Sequence, residues 1–380
     1  ARRTRALLAG LPFLSKPAAA ALGGQPVLTH GPFLGNVTSA EAKVWARLGV
    51  PGIYRLVVQD SRTQFETTAE ARPENDHCIV WQLTGLEPGQ QYRYQIWSGD
   101  QPIVDDAGMY LKTLPTQTAP AVTRFAIGSC AREGPDDRAV WRRMAATDPD
   151  AIILLGDTPY IDTTDLAVQR RRYAEFAAVP EFADLLRNRP LYATWDDHDF
   201  GLNDSDGRLS GKENARRAFV EFHANPSYGD SDEGVYTKFR LGGAEVFLLD
   251  TRYFAQTESS PISDGPTLLG TRQWEWLRDG LRNSTAPFKI LASGMIWNYA
   301  VRPGKPDHWD SYREEKEALF RFLGRERISG VVLMGGDVHR TRVLRYDTSD
   351  SVGYPLTELI TSPIHDGGGA MVANNAPHPD

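Results

Sequence analysis

Between residues 122 and 362 the chain repeats one arrangement: a short apolar run of strand length stops, and the next few residues carry side chains that bind metals. Arg124-Phe-Ala-Ile-Gly128 leads into Ser129-Cys130, and Ala151-Ile-Ile-Leu-Leu155 into Gly156-Asp157-Thr-Pro-Tyr160. Pro190-Leu-Tyr-Ala-Thr-Trp195 leads into Asp196-Asp197-His198-Asp199, and Gly330-Val-Val-Leu-Met334 into Gly336-Asp337-Val-His339. Runs this short and this apolar read as buried strands. Between them lie helix-like stripes: Val140, Trp141 and Met144 after Asp136; Ala215, Phe219 and Phe222 after Lys212; Trp274 with Leu277 to Leu281; and Ala318, Leu319 and Phe322. Further strands are expected at 246–249 and 289–292, and Gly242-Gly243 suits a two-residue hairpin turn. Strands alternating with helices predict an α/β domain over 122–380. In such sheets ligands bind beyond the carboxyl ends of the strands, which is where these residues fall.

The preceding segment has a different rhythm. Residues 26–114 alternate at strand spacing, with Val44-Trp-Ala-Arg47, Tyr54-Arg-Leu-Val-Val-Gln59 and His77-Cys-Ile-Val-Trp81 separated by Gly49, Pro51-Gly52 and Asp60-Ser61. Leu86-Glu-Pro-Gly-Gln-Gln-Tyr-Arg-Tyr94 resembles the corner of a fibronectin type III-like sandwich, and about 90 residues is the right size for one. Residues 115–121, polar and Pro-bearing, read as a linker. At the amino end, Arg2-Arg3-Thr4-Arg5, an apolar stretch to Leu14 and an Ala-rich zone to Leu22 read as an export segment of twin-arginine type over 1–25. A mature amino-terminal arm is the alternative. The expected location is therefore the periplasm, cell envelope or exterior of a bacterium.

With 380 residues the chain has room for these two domains. Its net charge of −7 argues against a nucleic-acid partner, which needs clustered Lys and Arg. No apolar run is long enough to span a bilayer, and a monomer is expected. The two cysteines, Cys78 and Cys130, either form one disulfide or, if Cys130 is a ligand, leave Cys78 a lone buried thiol.

The ligand types constrain the ions. A two-metal site needs a carboxylate between cations about 3.5–4 Å apart. Asp157 suits that place, because Gly156 lets the chain turn sharply after a buried strand. Tyr160, three residues on, can return to the same ion. Thiolate, phenolate, carboxylate and imidazole together suit a trivalent ion, with Fe(III) first. A second ion facing only Asp157, Asp197 and Asp337 favours Ca²⁺, Mg²⁺ or Mn²⁺ over Zn²⁺. Of Asp196, Asp197 and Asp199 only one need bind metal. His198 stands ready as general acid or as a transition-state hydrogen-bond donor, Arg132 as an anion clamp, and Asn203 as a hydrogen-bond donor or a calcium ligand. Asp162 reads as a loop cap first and as a helper near the metals second, Arg252 as the structural partner of an acid, and Arg170-Arg-Arg172 as a solvated helix face. Trp297, Tyr299, His308, Trp309 and Tyr312 either line a cleft or pack a long loop.

In order and spacing, several segments resemble the PhoD-like alkaline phosphatases, a branch of the calcineurin-like metallophosphoesterases. They are Gly128-Ser-Cys130, Leu155-Gly-Asp-Thr-Pro-Tyr160, Trp195-Asp-Asp-His-Asp-Phe-Gly-Leu-Asn-Asp204, Leu249-Asp-Thr-Arg252, Leu269-Gly-Thr-Arg-Gln-Trp-Glu-Trp-Leu277, Asp307-His-Trp-Asp-Ser-Tyr312 and Gly335-Gly-Asp-Val-His339. The resemblance implies a four-layer α/β/β/α sandwich behind the β domain. It also implies hydrolysis of phosphate esters, mono- or diesters and small or polymeric, by a metal-activated hydroxide. Carried over, Cys130, Asp157, Tyr160 and His339 would hold iron, and Asp157, Asp197 and Asp337 one or two calcium ions. The chain departs from the family in Ala131, where many members carry Asn, and from the wider superfamily in having no His in Met295-Ile-Trp297. The competing readings are an inactive surface-binding protein built on the β domain, and a dizinc or dimanganese nuclease of the same superfamily.

Overall fold

The computed structural model describes residues 26–116 and 122–365. The expected export segment at 1–25, most of the linker and the Gly- and Asn-rich tail lie outside the described residues.

The first domain folds into two antiparallel sheets. One contains β1 (Leu28–Val37), β2 (Glu41–Leu48) and β5 (Cys78–Thr84) in the order β1-β2-β5. The other has the order β4-β3-β6-β7, from β3 (Gly52–Gln59), β4 (Gln64–Ala71), β6 (Gln91–Ser98) and β7 (Gln101–Val104), with β8 (Tyr110–Lys112) also on β6. Alternate residues of both sheets, among them Val44, Leu56, Trp81, Tyr94 and Leu111, close on one core. This is the fibronectin type III-like sandwich. Tyr92 forms its corner: the backbone N–H of Glu87 donates to the Tyr92 hydroxyl at 2.9 Å.

The second domain has the expected four layers. A parallel sheet of order β11-β10-β9 comprises β9 (Phe125–Gly128), β10 (Ala151–Leu155) and β11 (Leu191–Thr194). It faces a six-stranded sheet of order β12-β13-β14-β15-β17-β16, from β12 (Thr237–Leu241), β13 (Ala244–Leu248), β14 (Phe288–Ala292), β15 (Val331–Gly335), β16 (Thr341–Tyr346) and β17 (Leu356–Thr361). β12 and β13 pair Leu241 with Ala244 across the Gly-Gly turn. Ile153, Leu155, Val246, Ile290 and Met334 fill the space between the sheets. Every residue of β10 is buried, because both its faces are covered.

Helices cover the outer faces. On the first sheet lie α1 (Arg138–Ala146), α2 (Leu166–Ala177), α3 (Pro180–Leu186), the single turn α4 (Asp197–Phe200) and α5 (Lys212–Phe222), through Trp141, Tyr173, Phe182 and Phe219. On the second lie α6 (Gly270–Asn283) and α7 (Arg313–Arg325), through Trp274, Leu277 and Leu319. The β-sandwich packs onto the first helical layer. Phe33 and Trp45 join its apolar core, and the Trp45 indole N–H donates to the Glu221 carbonyl at 2.7 Å. Trp297 and Trp309, left open by the sequence, stack at 3.9 Å inside the other layer. Cys78 and Cys130 are both free and buried, so there is no disulfide between them.

Candidate metal centre

β9, β10 and β11 run parallel, as do β13, β14, β15 and β17, so their carboxyl ends open onto one crevice. The chain leaves these strands in tight turns. Cys130, Asp157, Asp337 and His339 all adopt left-handed backbone conformations, with φ between 52° and 60°. For non-glycine residues this conformation is uncommon and strained, and four of the predicted ligands share it. Gly156 has φ 90°, and a Cβ on it would lie 2.3 Å from the Asp196 backbone nitrogen. Only glycine lets β10 and β11 send their turns this close together.

The turns bring the predicted residues together. Cys130 Sγ lies 3.4 Å from Asp157 Oδ2 and 3.1 Å from Ser362 Oγ, and Tyr160 Oη lies 2.8 Å from His339 Nε2. Ligand atoms of Cys130, Asp157 and His339 fall within 4.8 Å of one another, as do those of Asp157, Asp196, Asp197 and Asp337, and those of Asp197, Asp204 and Asp307. Asp196 and Asp199 form a reciprocal capping box around α4, the Asp196 N–H donating to Asp199 Oδ1 at 2.6 Å. That fixes α4 and aims Asp197 at the crevice.

The electrostatics are extreme. Burial, reinforced by Asp157 and Asp337, pushes the Cys130 thiol well up. Burial and the proximity of Cys130 do the same to the Tyr160 phenol. Asp157 rises through burial and the charges of Asp197 and Asp196. Asp337 is raised by burial to about 6, with Lys305 opposing. His339 is lowered to about 4 by burial and by His365. Burial alone would raise Asp197, but Arg252 and Lys305 outweigh it and hold that carboxyl below the usual range. Three buried carboxylate oxygens, Asp196 Oδ2, Asp197 Oδ1 and Asp337 Oδ2, have no hydrogen-bond partner. Orphaned buried acceptors are costly, and a cation among them removes the cost. The donor set therefore fits metal ions.

A cavity of about 430 Å³ opens onto this centre, lined by Arg132, Glu133, Asp157, Tyr160, Asp162, Arg172, His198, Asn203, Arg302, Lys305, Asp337 and His339. All three residues expected to touch substrate, Arg132, His198 and Asn203, line it. The Arg132 guanidinium sits 5.1 Å from the Tyr160 ring centroid. Of the two roles open to Asp162, the geometry agrees with the helper near the centre: its Oδ1 lies 2.5 Å from His198 Nδ1. One reading changes: Arg172 is no solvated face, since it lines the cavity and pairs with Glu133 at 2.6 Å. Arg252 pairs with acids as expected, bridging Asp196 and Asp307 beneath the centre. The aromatic cleft does not form: none of Trp297, Tyr299, His308, Trp309 and Tyr312 lines the cavity. Sequence reasoning missed Lys305, whose only signal was a cation between two prolines just before Asp307.

The sequence profile of the PhoD-like phosphatases matches residues 125–378. The chain belongs to that family. Residues 25–116 match a domain described only as of unknown function, DUF7800. Alkaline phosphatase D of Bacillus subtilis (strain 168) is 26% identical over 324 residues, which is 72% of this chain and 55% of that protein, so the chain spans about half the length of its curated relative. A solved structure titled "Structure of PhoD" superposes with a TM-score of 0.76 at 22% identity, covering 92% of this chain and 79% of that one. At that identity the likeness concerns the fold, and it includes the sandwich as well as the α/β layers.

Proposed function

We propose that this PhoD-like chain hydrolyses phosphate esters, with Cys130, Asp157, Tyr160 and His339 holding Fe(III) and Asp157, Asp197 and Asp337 a hard divalent ion, Ca²⁺ first. The observation that carries this reading is the set of partnerless carboxylate oxygens buried at the floor of a cavity lined with charged and polar groups. The proton-bearing thiol and phenol point the same way, since only a strong cation would make both anionic near neutral pH. When bound, such ions acidify a water and neutralise charge developing on the phosphoryl oxygens.

The chain's own residues supply the rest. Arg132 and Asn203 border the cavity and donate to the phosphoryl oxygens, Arg132 braced against Tyr160. His198 is anchored on both sides. Its backbone N–H donates to Asp157 Oδ1 at 3.3 Å, and its Nδ1 bonds to Asp162. The Asp162 carboxylate accepts from Nδ1–H and orients the ring; when the ring also carries a proton on Nε2, that Nε2–H is the one passed to the leaving oxygen. Every residue lining the cavity carries a charged or polar group, which suits an ester whose alcohol is itself polar.

Protein purified without chelators is expected to carry iron and calcium by elemental analysis and to show a visible charge-transfer band. Cys130→Ala or Tyr160→Phe should abolish or shift that band. A colourless protein, or a band unchanged in both variants, would remove the iron assignment. Asp162→Asn tests the role of His198. It should lower kcat roughly 10–100-fold with metal content unchanged, and lower it more for alkyl esters than for aryl esters whose leaving group needs no proton. Equal losses on both substrates, measured by steady-state kinetics, would count against His198 as the acid.

A further inference from the structure

Two overlapping carboxylate clusters at the crevice use their oxygens differently. In the cluster of Asp157, Asp196, Asp197 and Asp337, three oxygens are buried and accept no hydrogen bond, although Arg252 Nη2 stands 3.9 Å from Asp197 Oδ1. In the cluster of Asp197, Asp204 and Asp307 part of the charge is already met by cations built into the chain. Arg252 Nη1 donates to Asp307 Oδ1 at 2.9 Å and Nη2 to Oδ2 at 2.6 Å. The Asp204 N–H donates to Asp197 Oδ2 at 2.7 Å. Lys305 Nζ stands 3.2 Å from Asp204 Oδ1 and 3.8 Å from Asp307 Oδ2, and completes its surroundings with Asp337 Oδ1 at 2.5 Å. Its side chain is only 7% exposed. An ammonium has three donors and no acceptor, and this one faces three carboxylates.

On the functional reading above, we propose that Lys305, held among Asp204, Asp307 and Asp337, is a tethered cation that takes the place of a further ion at the Asp197–Asp204–Asp307 cluster, so that metal ions enter the centre only at the two positions flanking Asp157. A lysine held at the site by its own backbone does not dissociate at low divalent concentration, and it excludes a further ion by charge and by volume. It carries one charge where a divalent ion would carry two. Arg252, also built into the chain, takes up part of the remaining negative charge through Asp307.

The test counts ions. Wild-type protein and Lys305→Met are loaded with iron and Ca²⁺, desalted and analysed for metal per chain, and each is titrated with Ca²⁺ by calorimetry. The expected result is one more Ca²⁺ per chain in K305M than in the wild type, bound at least tenfold tighter than any further Ca²⁺ in the wild type. Lys305→Arg should keep the wild-type count. Lys305→Gln is read in the same way as K305M should the latter fail to fold. Three ions in the wild type overturn the inference whatever the variants do. An equal count in wild type and K305M, with phosphoesterase activity present in the wild type, overturns this inference alone. A wild type with neither bound ions nor activity removes the functional reading, and this inference falls with it.

Discussion

Asp157→Asn is expected to lower kcat/KM by at least about 10³-fold while making the metal-free protein more stable. Asp157 belongs to three of the four ligand groups at the crevice: with Cys130 and His339, with Asp197 and His198, and with Asp196, Asp197 and Asp337. An amide there weakens both proposed ion positions at once. The stability change has the opposite sign because of the cost of the buried charge. Burial and the neighbouring carboxylates raise the Asp157 carboxyl well above its ordinary range. A carboxyl raised on folding favours the folded state at low pH, and that contribution is lost as pH rises through the folded value. Substitution by Asn removes this pH dependence. The metal-free variant should therefore gain roughly 0.5–2 kcal/mol over the metal-free wild type at pH 8, and less or nothing at pH 4. Denaturant melts in chelator at the two pH values measure it. Loading the wild type should also release protons, since Cys130 and Asp157 hold them when no ion is bound. Calorimetry in two buffers of different ionisation enthalpy should find fewer protons released by the variant. An Asn variant that keeps wild-type activity would show that Asp157 bridges nothing.

What the sequence made legible follows from where its signals are local. An apolar run that stops at a ligand-type residue is visible in one dimension, and so the sequence alone locates the carboxyl ends of β9, β10, β11 and β15. The Gly242-Gly243 turn and the Tyr92 corner were readable for the same reason. The residues that escaped are those whose role depends on what lies opposite. Asp162 looks like any loop aspartate until His198, 36 positions later, is brought against it. Arg172 sits in a basic triplet that reads as solvent-facing, yet α2 turns it towards the cavity, where Glu133 meets it. Lys305 lies in a Pro- and Gly-rich loop with no periodicity to follow. Trp297 and Trp309 are aromatic enough for a binding cleft, and only their mutual stacking shows that they fill the core. Of the three neighbouring aspartates, the capping box identifies Asp199 as a structural cap, a distinction that spacing alone does not make.

Arg252→Met is expected to be the most destabilising single change near the centre, by about 3–5 kcal/mol at pH 8. The guanidinium is fully buried, donates to Asp196 and to both oxygens of Asp307, and also reaches the Ser205 carbonyl at 3.2 Å. Methionine fills a similar volume but leaves two buried carboxylates with Lys305 as the one remaining cation against Asp307. The loss should lower the melting temperature by roughly 6–20 °C. Its pH dependence separates a charge effect from a packing effect. Arg252 is the foremost charge holding Asp197 below the ordinary carboxylate range, against the cost of burial. A depressed carboxyl contributes stability above its unfolded value, and that stability disappears as pH falls through the folded value. The part of the R252M penalty that runs through Asp197 should thus persist at pH 4 and shrink only as pH falls further towards the folded value, whereas a cavity or packing defect would cost the same throughout. Adding Asp196→Asn and Asp307→Asn to R252M should restore more than half of the lost stability, because most of the cost lies in the unpaired charges and not in the missing bonds. Arg252→Lys should recover little, since one ammonium cannot bridge two carboxylates in the plane that the guanidinium spans. If the triple variant is no more stable than R252M, Arg252 acts through packing, and the electrostatic account of the floor of this site is wrong.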